Sequence, residues 1–464
     1  MRHRKFKYPF LDEAVKIQPM FRGLCWNLVF LGTLTGASCA QNRTAPHQMV
    51  SPQTTSPLEK RANDIVANIN TPKDFEQLYS SDFLAAVPPA KLTEIYSGLT
   101  TQFGKAVRVQ KVVPSSPSAG HISIQFEKNM VAGMNLDIQN KAPFLVTGLV
   151  ITSTENGSSS LEDLIGELKA LPGQTALSVV KLDGSKLVSI AAHNPDKSLA
   201  IGSTFKLYVL SELVRNIAAG KRHWGDVIEL KEASLPSGFL QTWPSGSPIT
   251  LHTLASLMIS ISDNTATDQL ITTLGREPIE KMMATAGNSN PARSFPFLKT
   301  VEMFKIKGET QPNFASNYAA KSIAGRRQLL ATAVATFPKE KIAPDFLTKP
   351  NHIDKIEWFA SPNDLARVMN WLRLHSTSTG DKARGVLSIN KALPAEEAAQ
   401  WNYVGYKGGS ETGVMSMTYL LQSKKGDWYV VSGTWNNEAA PLNEGQFAGF
   451  MTKAVTLLRG RIKS

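Results

Sequence analysis

Cysteine is nearly absent from this chain: Cys25 and Cys39 are the only two in 464 residues, and both fall in the first forty. That excludes a disulfide scaffold, a cysteine-ligated zinc or iron–sulfur site and a cysteine nucleophile, and it suits an oxidising compartment. The eight histidines form no H-x-H and no H-E-x-x-H, so a zinc hydrolase lacks its ligands. No G-x-G-x-x-G, no Walker loop and no G-x-S-x-G occurs either, which argues against nucleotide cofactors and an α/β-hydrolase elbow. No metal or cofactor is expected. Charged residues make up 19% and carry a formal +12, but the six basic and two acidic side chains of residues 1–40 leave +8 for the rest. Those charges are scattered without a long Lys/Arg run, so nucleic acid is not an expected partner. No repeat of 20–50 residues is visible.

What is present reads as globular, with 42% hydrophobic residues and length enough for two or three domains. Leu24–Thr35 is an apolar run after Arg22, followed by Ala37-Ser38-Cys39-Ala40. It is too short to span a bilayer and fits the core of a signal peptide over residues 1–40, cleaved after Ala40. The expected location is therefore exported and periplasmic, with secretion as an alternative and no membrane span. A lipoprotein acylated at Cys39 is a rival reading, although Gly36 stands where a branched aliphatic is usual. Asp12 and Glu13 lengthen the region ahead of the apolar run, and Met20-Phe21-Arg22 would begin a signal of ordinary shape. Residues 41–57 read as a flexible leader.

Two blocks follow. Residues 58–153 show helical spacing (Ile65, Val66, Phe75, Leu78, then Leu92, Ile95, Tyr96, Leu99). Four strands come next, Val107–Val113, His121–Phe126, Met130–Ile138 and Phe144–Ile151, predicting a small α+β domain. Ser153–Ser160 reads as a linker, with the boundary near residue 155. Residues 160–464 open with a helix, Leu161–Leu171, and a hairpin, Thr175–Leu182 and Lys186–Ala191, around Asp183-Gly184. A helical stretch, the strands Trp401–Tyr406, Ser416–Gln422 and Trp428–Thr434, and a helix from Leu442 to Leu458 complete it. This order predicts one antiparallel sheet with helices on both sides.

S-x-x-K occurs at Ser178–Lys181, Ser203–Lys206 and Ser388–Lys391, and geometry separates the first two. On a strand, positions i and i+3 point to opposite faces, so Ser178 cannot meet Lys181. On a helix they stack. Ser203-Thr204-Phe205-Lys206 opens a helical run, with a hydroxyl at the positive end of the dipole and an amine beside it. A plain N-cap serine and a solvated lysine is the other reading. Ser262-Asp263-Asn264 lies between two helices and on its own could be a cap. Lys407-Gly408-Gly409-Ser410 follows the strand ending at Tyr406. It reads as a turn with an exposed lysine or as a place where a ligand approaches the backbone.

In that order, S-x-x-K, S-D-N and K-[TSG]-G resemble the motifs of the serine β-lactamases and penicillin-binding proteins. The resemblance covers about residues 160–464. With its preceding domain, the chain is similar to two-domain β-lactamase-like hydrolases of the clavulanic acid gene cluster, whose first domain has a ketosteroid isomerase (NTF2-like) fold. The fold implied is α+β: a β-lactamase/transpeptidase-like domain, with a sheet flanked by helices plus a helical subdomain, after a small α+β domain. The roles implied are Ser203 as nucleophile, Lys206 as base if held neutral, and Ser262 as proton relay assisted by Lys407. Asn264 would bind the acyl side-chain amide. The backbone N–H groups of Ser203 and Ser410 would form an oxyanion hole. Lys407 and Ser410, beside Gly409, would hold the carboxylate of a β-lactam or related acyl substrate.

Three departures stand out. The stretch Pro296–Phe304 contains one carboxylate, Glu302, with Ile306 where an Asn would follow a deacylating glutamate; an ordinary exposed glutamate is the other reading. Gly408 replaces a hydroxyl residue in the signature triplet. The segment between Ser262 and Lys407 is long. The expected function is an exported serine hydrolase acting on β-lactams. A D,D-peptidase, an esterase, or a penicillin-binding protein without turnover are the alternatives.

Overall fold

The computed structural model describes residues 56–377 and 380–463. The expected signal peptide, the alternative start at Met20 and the lipid anchor at Cys39 lie outside the described residues. Ser56–Ser464 forms one compact unit.

The first layer is helical: α1 (Pro57–Asn70), α2 (Phe75–Leu78), α3 (Ser81–Ala86) and α4 (Pro89–Phe103). Helix α1 starts where its sequence says it should. Ser56 and Glu59 form a reciprocal capping box and Pro57 takes the first helical position, where a missing N–H costs nothing. The helices cover one face of an antiparallel meander, β1 (Ala106–Ser116), β2 (Ala119–Phe126), β3 (Met130–Ile138) and β4 (Val146–Asn156). Strand β2 alternates buried and half-buried residues, turning Ile122, Ile124 and Phe126 onto Leu92, Tyr96 and Leu99.

One expectation is corrected here. Ser153–Asn156 do not belong to a linker but end strand β4, paired with Met130–Gly133 of β3. Cross-strand pairing overrides their loop-like composition. The remaining Gly157–Ser160 connection is pinned by Glu167, which accepts from Asn129, Asn156 and Ser158 at 2.6–2.8 Å.

The second part opens with α5 (Leu161–Ala170), β5 (Gln174–Asp183), β6 (Lys186–His193) and the short β7 (Leu199–Ala200). A 3-10 turn, Gly202–Phe205, runs straight into α6 (Lys206–Ala218). After a small pairing of β8 (Val227–Glu229) with β9 (Pro248–Thr250) come α7 (Leu251–Ser260), α8 (Asn264–Leu274), α9 (Arg276–Thr285) and α10 (Thr300–Gly308). Helices α11 (Phe314–Ala320) and α12 (Ile323–Leu329) precede β10 (Phe359–Ala360), which pairs with β7. Then follow α13 (Pro362–His375), α14 (Lys382–Ser388), α15 (Ala395–Ala398), β11 (Tyr403–Glu411), β12 (Val414–Gln422), β13 (Trp428–Asn436) and α16 (Glu444–Lys463).

The five-stranded antiparallel sheet has the order β11-β12-β13-β5-β6. On one face α5 and α16 pack through Leu164, Leu168, Phe447, Met451 and Val455. On the other, Val180, Leu420 and Val430 join the larger core built on α6, α7, α8 and α13. Helices on both sides of one sheet is the arrangement the element order predicted. The hairpin strand β5 also disposes of the first S-x-x-K: Ser178 is buried against Asn363, while Lys181 reaches the exposed Asp427.

A second correction concerns β11. It runs on through Lys407-Gly408-Gly409-Ser410 to Glu411, with Lys407 opposite Thr418 and Ser410 opposite Met415. The motif is therefore strand, not turn, and Lys407 is only 3% exposed. Two glycines mark a strand's end in sequence, but pairing with β12 holds them in the ladder.

Candidate active site

The nucleophile candidate sits where backbone packing is tightest. Ser203 lies in the 3-10 turn ahead of α6 and is half-buried, between buried Gly202 and Thr204. Its turn is fixed from behind: Ile201 N–H donates to Trp358 O at 3.0 Å, and the Phe205 ring stacks on Trp358 at 3.7 Å. From the front, β11 presses on it. A Cβ at Gly409 would stand 2.3 Å from Ile201 O and 2.4 Å from Ser203 N, so only glycine fits there. A Cβ at Gly202, whose φ is +47°, would lie 3.0 Å from Ser410 N. The backbone amides of Ser203 and Ser410 thus lie on two touching segments.

Lys206, at the start of α6, is wholly buried. Its Nζ donates to Ser262 O at 2.7 Å, Ser262 Oγ at 3.1 Å and Asn264 Oδ1 at 2.7 Å, and none of its hydrogen bonds goes to Ser203. Lys407 Nζ reaches the same Ser262 Oγ at 3.1 Å. Burial, and after it the neighbouring Lys407, hold the Lys206 amine well below the ordinary lysine range. Burial lowers Lys407 to about 7. A neutral Lys206 has two N–H donors for its two 2.7 Å acceptors, which leaves its lone pair for a hydroxyl.

Ser262 is offered to both amines by strained backbone, with φ at +58°. The neighbouring Asp263, fully buried, holds that conformation in place. It caps α8 through Ala266 N at 2.8 Å and also accepts from Phe239 N and Leu240 N at 2.7 and 3.0 Å. Gly238 permits this approach, since a Cβ there would lie 2.2 Å from the Asp263 carboxylate. Ser237 Oγ adds a bond to Ser262 O at 2.7 Å. Asn264 is 4% exposed; its Oδ1 accepts from Lys206, and its Nδ2 donates to Leu235 O at 3.1 Å.

The cluster therefore unites Ser203, Lys206, Ser262, Asn264, Lys407, Gly409 and Ser410. Glu302 is held apart from it. It stands in the first turn of α10, where Oε1 pairs with Arg276 Nη2 at 2.7 Å and Oε2 accepts Lys299 N–H at 2.8 Å. None of the cluster's side chains hydrogen-bonds Glu302.

Two groups went unnoticed in the sequence. Asp268, buried in α8, caps α10 by accepting from Thr300 N at 2.6 Å and Val301 N at 2.9 Å, and burial raises its carboxyl to about 7. At the other end of α10, Lys307 meets Glu357 and Glu411. Neither belongs to a local motif, and only the tertiary fold brings them together. Among the described residues no group of His, Cys, Asp and Glu is arranged to hold a metal ion, and no helix is long and apolar enough to cross a membrane.

The chain resembles several solved structures. A β-lactamase from Sphaerobacter thermophilus is 22% identical, with a TM-score of 0.46 over 65% of this chain and 98% of its own. A mutant of PBP-A, solved as an acyl-enzyme complex with penicillin G, is 17% identical, with a TM-score of 0.44 over 65% and 96%. A β-lactamase from Chitinophaga pinensis is 13% identical, with a TM-score of 0.44 over 65% and 97%. A search of curated proteins finds no match. The model of the beta-lactamase enzyme family matches residues 158–392, just over half of the chain, spanning Ser203, Lys206, Ser262 and Asn264 and stopping short of β11. On that match, the chain belongs to the beta-lactamase enzyme family.

Proposed function

We propose that the protein is an exported serine hydrolase that forms an acyl-enzyme through Ser203 on a β-lactam or a related acyl substrate. The observation that carries this is the single Ser262 hydroxyl shared by two buried lysine amines, beside the turn that presents Ser203.

In the proposed reaction, Ser203 Oγ attacks the substrate carbonyl while its proton passes to neutral Lys206, directly or through Ser262. The carbonyl oxygen gains charge between the N–H groups of Ser203 and Ser410, where a lost donor costs about 10²–10³ in rate. Ser262 then delivers a proton to the leaving nitrogen, with Lys407 supplying positive charge. Protonated Lys407 and the exposed Ser410 hydroxyl receive the substrate carboxylate. The amide oxygen of Asn264 holds Lys206 in place, and its second N–H remains for the acyl side-chain amide.

A second reading is favoured by Glu302. Both of its oxygens are engaged, by Arg276 and Lys299 N–H, and none of the cluster's side chains bonds it, so it is not the expected base for a deacylating water. Slow release, as in a penicillin-binding D,D-peptidase, follows from that. Incubation with a penicillin and timed intact-mass analysis separates the cases: a transient adduct supports hydrolysis, a lasting one the second reading, and none overturns both.

A further inference from the structure

Behind the site lies a buried ionic cluster that the reaction above does not use. Lys307 Nζ, 1% exposed, contacts the Glu411 carboxylate at 2.5 Å and Glu357 Oε1 at 3.4 Å, and Glu357 is fully buried. One ammonium, that of Lys307, thus bridges the two carboxyl groups. Glu357 Oε2 accepts Trp358 N–H at 3.1 Å. Glu411 Oε2 is buried, yet no N–H or O–H of the described residues reaches it.

The charges do not close as they stand. Two carboxylates against one ammonium leave a net negative charge inside the protein, which costs several kcal/mol unless neutralised. The other ionisable groups nearby supply nothing. His352 is held below its ordinary range by burial, and Asp354 and Lys355 face each other at 3.6 Å. On α10 itself, Lys305 turns away to Val334 O. A proton held between Glu357 and Glu411 would neutralise the cluster and give the orphaned oxygen a partner in one step.

The cluster's position gives it a function. Glu411 directly follows Ser410, and Glu357 directly precedes Trp358, which holds Ile201 and stacks on Phe205 on either side of Ser203. The geometry points to Glu357 as a neutral carboxylic acid donating to Glu411 Oε2, and to this shared proton, with Lys307, as the device that keeps Ser410 against the Ser203 turn during acylation. Its second half rests on the proposed acyl-enzyme reading. When the proton leaves, two like charges meet and push β11 away from the turn. Burial and Glu411 both hold Glu357 well above the usual carboxylate range. The stabilisation is therefore whole at acid pH and is lost as pH rises through that elevated value.

The test compares wild type with Glu357→Gln, whose amide donates in the same place without titrating. Thermal midpoints are measured from pH 6 to 10, together with penicillin acylation rates. The wild-type midpoint, taken as a difference from the variant so that Lys407 cancels, should fall as pH rises. Acylation of the variant should stay within about twofold at pH 7 and exceed wild type by about tenfold or more at pH 10. Glu411→Gln, which leaves Lys307 with one ionised carboxylate, should flatten the same midpoint profile. Parallel midpoint profiles in all three proteins overturn the shared proton. Diverging midpoints with a constant acylation ratio overturn the positioning role. Failure of every protein, wild type included, to acylate overturns the positioning role together with the acyl-enzyme reading, while the midpoints still decide the proton.

Discussion

Lys206 and Lys407, 201 positions apart in sequence, each place their amine 3.1 Å from the oxygen of Ser262. Two ammonium groups on one hydroxyl would repel strongly in a buried site, so the pair is stable only with at least one of them neutral. Burial lowers both, and at Lys206 the neighbouring Lys407 adds to it. In the proposed reaction this asymmetry marks Lys206 as the base and Lys407 as the cationic anchor.

Removing the nucleophile tests the assignment most directly. Ser203→Ala should abolish every penicillin adduct in intact-mass spectra. Since Lys206 spends its bonds elsewhere, the unfolding free energy should change by no more than about 1 kcal/mol. An adduct on this variant would sink the assignment.

Lys206→Met keeps the length of the side chain and deletes the base. Acylation should slow by about 10²–10⁴, the range for a lost general base. The variant also strands Asn264 Oδ1 and takes one of two partners from Ser262 O, which keeps Ser237 Oγ, so stability should fall by about 1–3 kcal/mol. Stopped-flow acylation and chemical denaturation read the two effects separately.

The Lys407 amine titrates near 7 and is charged below that value. For a substrate with a carboxylate, KM should rise as pH increases through about 7, because the cation that receives it is lost. A neutral ester lacks this partner and should show no such rise. Steady-state profiles for nitrocefin and an uncharged ester, run side by side, check the contrast.

Gly409→Ala brings a methyl group 2.3 Å from Ile201 O and 2.4 Å from Ser203 N. The strand and the turn must separate, and the oxyanion donors with them. Acylation should fall by about 10²-fold or more, the cost of one lost donor. An unchanged rate would show that the contact does not position the amide of Ser410.

Glu302→Gln separates the two fates of the acyl-enzyme. As a helix-capping partner of Lys299 and Arg276, Glu302 should matter to stability, at about 1 kcal/mol. Deacylation, followed by loss of adduct mass over time, should be unchanged. A much longer adduct lifetime in the variant would assign Glu302 a chemical part.

Much of this arrangement was legible before any coordinates. The helical run that begins at Ser203–Lys206, the hairpin at Asp183-Gly184 and the closing helix all follow from local pattern. Gly408 and Gly409 misled, because glycine breaks isolated strands, while here close packing against Ser203 demands it at Gly409. Ser153–Asn156 misled for the converse reason, polar residues held in a ladder by their neighbours. Lys307, Glu357 and Glu411 left no trace in sequence. Charged residues default to the surface, and the three are burial partners only because α10, the approach to β10 and the end of β11 converge.

Helix α10 is anchored at its two ends to different sides of the cluster. Thr300 and Val301 are gripped by Asp268 behind Ser262-Asp263-Asn264, and Lys307 grips Glu411 at the tip of β11. Nine residues of α-helix measure about 13 Å, and a rod of that kind hardly stretches. The spacing between those two sides is then inherited from one stiff spacer. Lengthening the neighbouring connections should leave that spacing untouched, whereas adding or deleting a single residue within α10 would rotate one anchorage by 100° and misalign both sides at once.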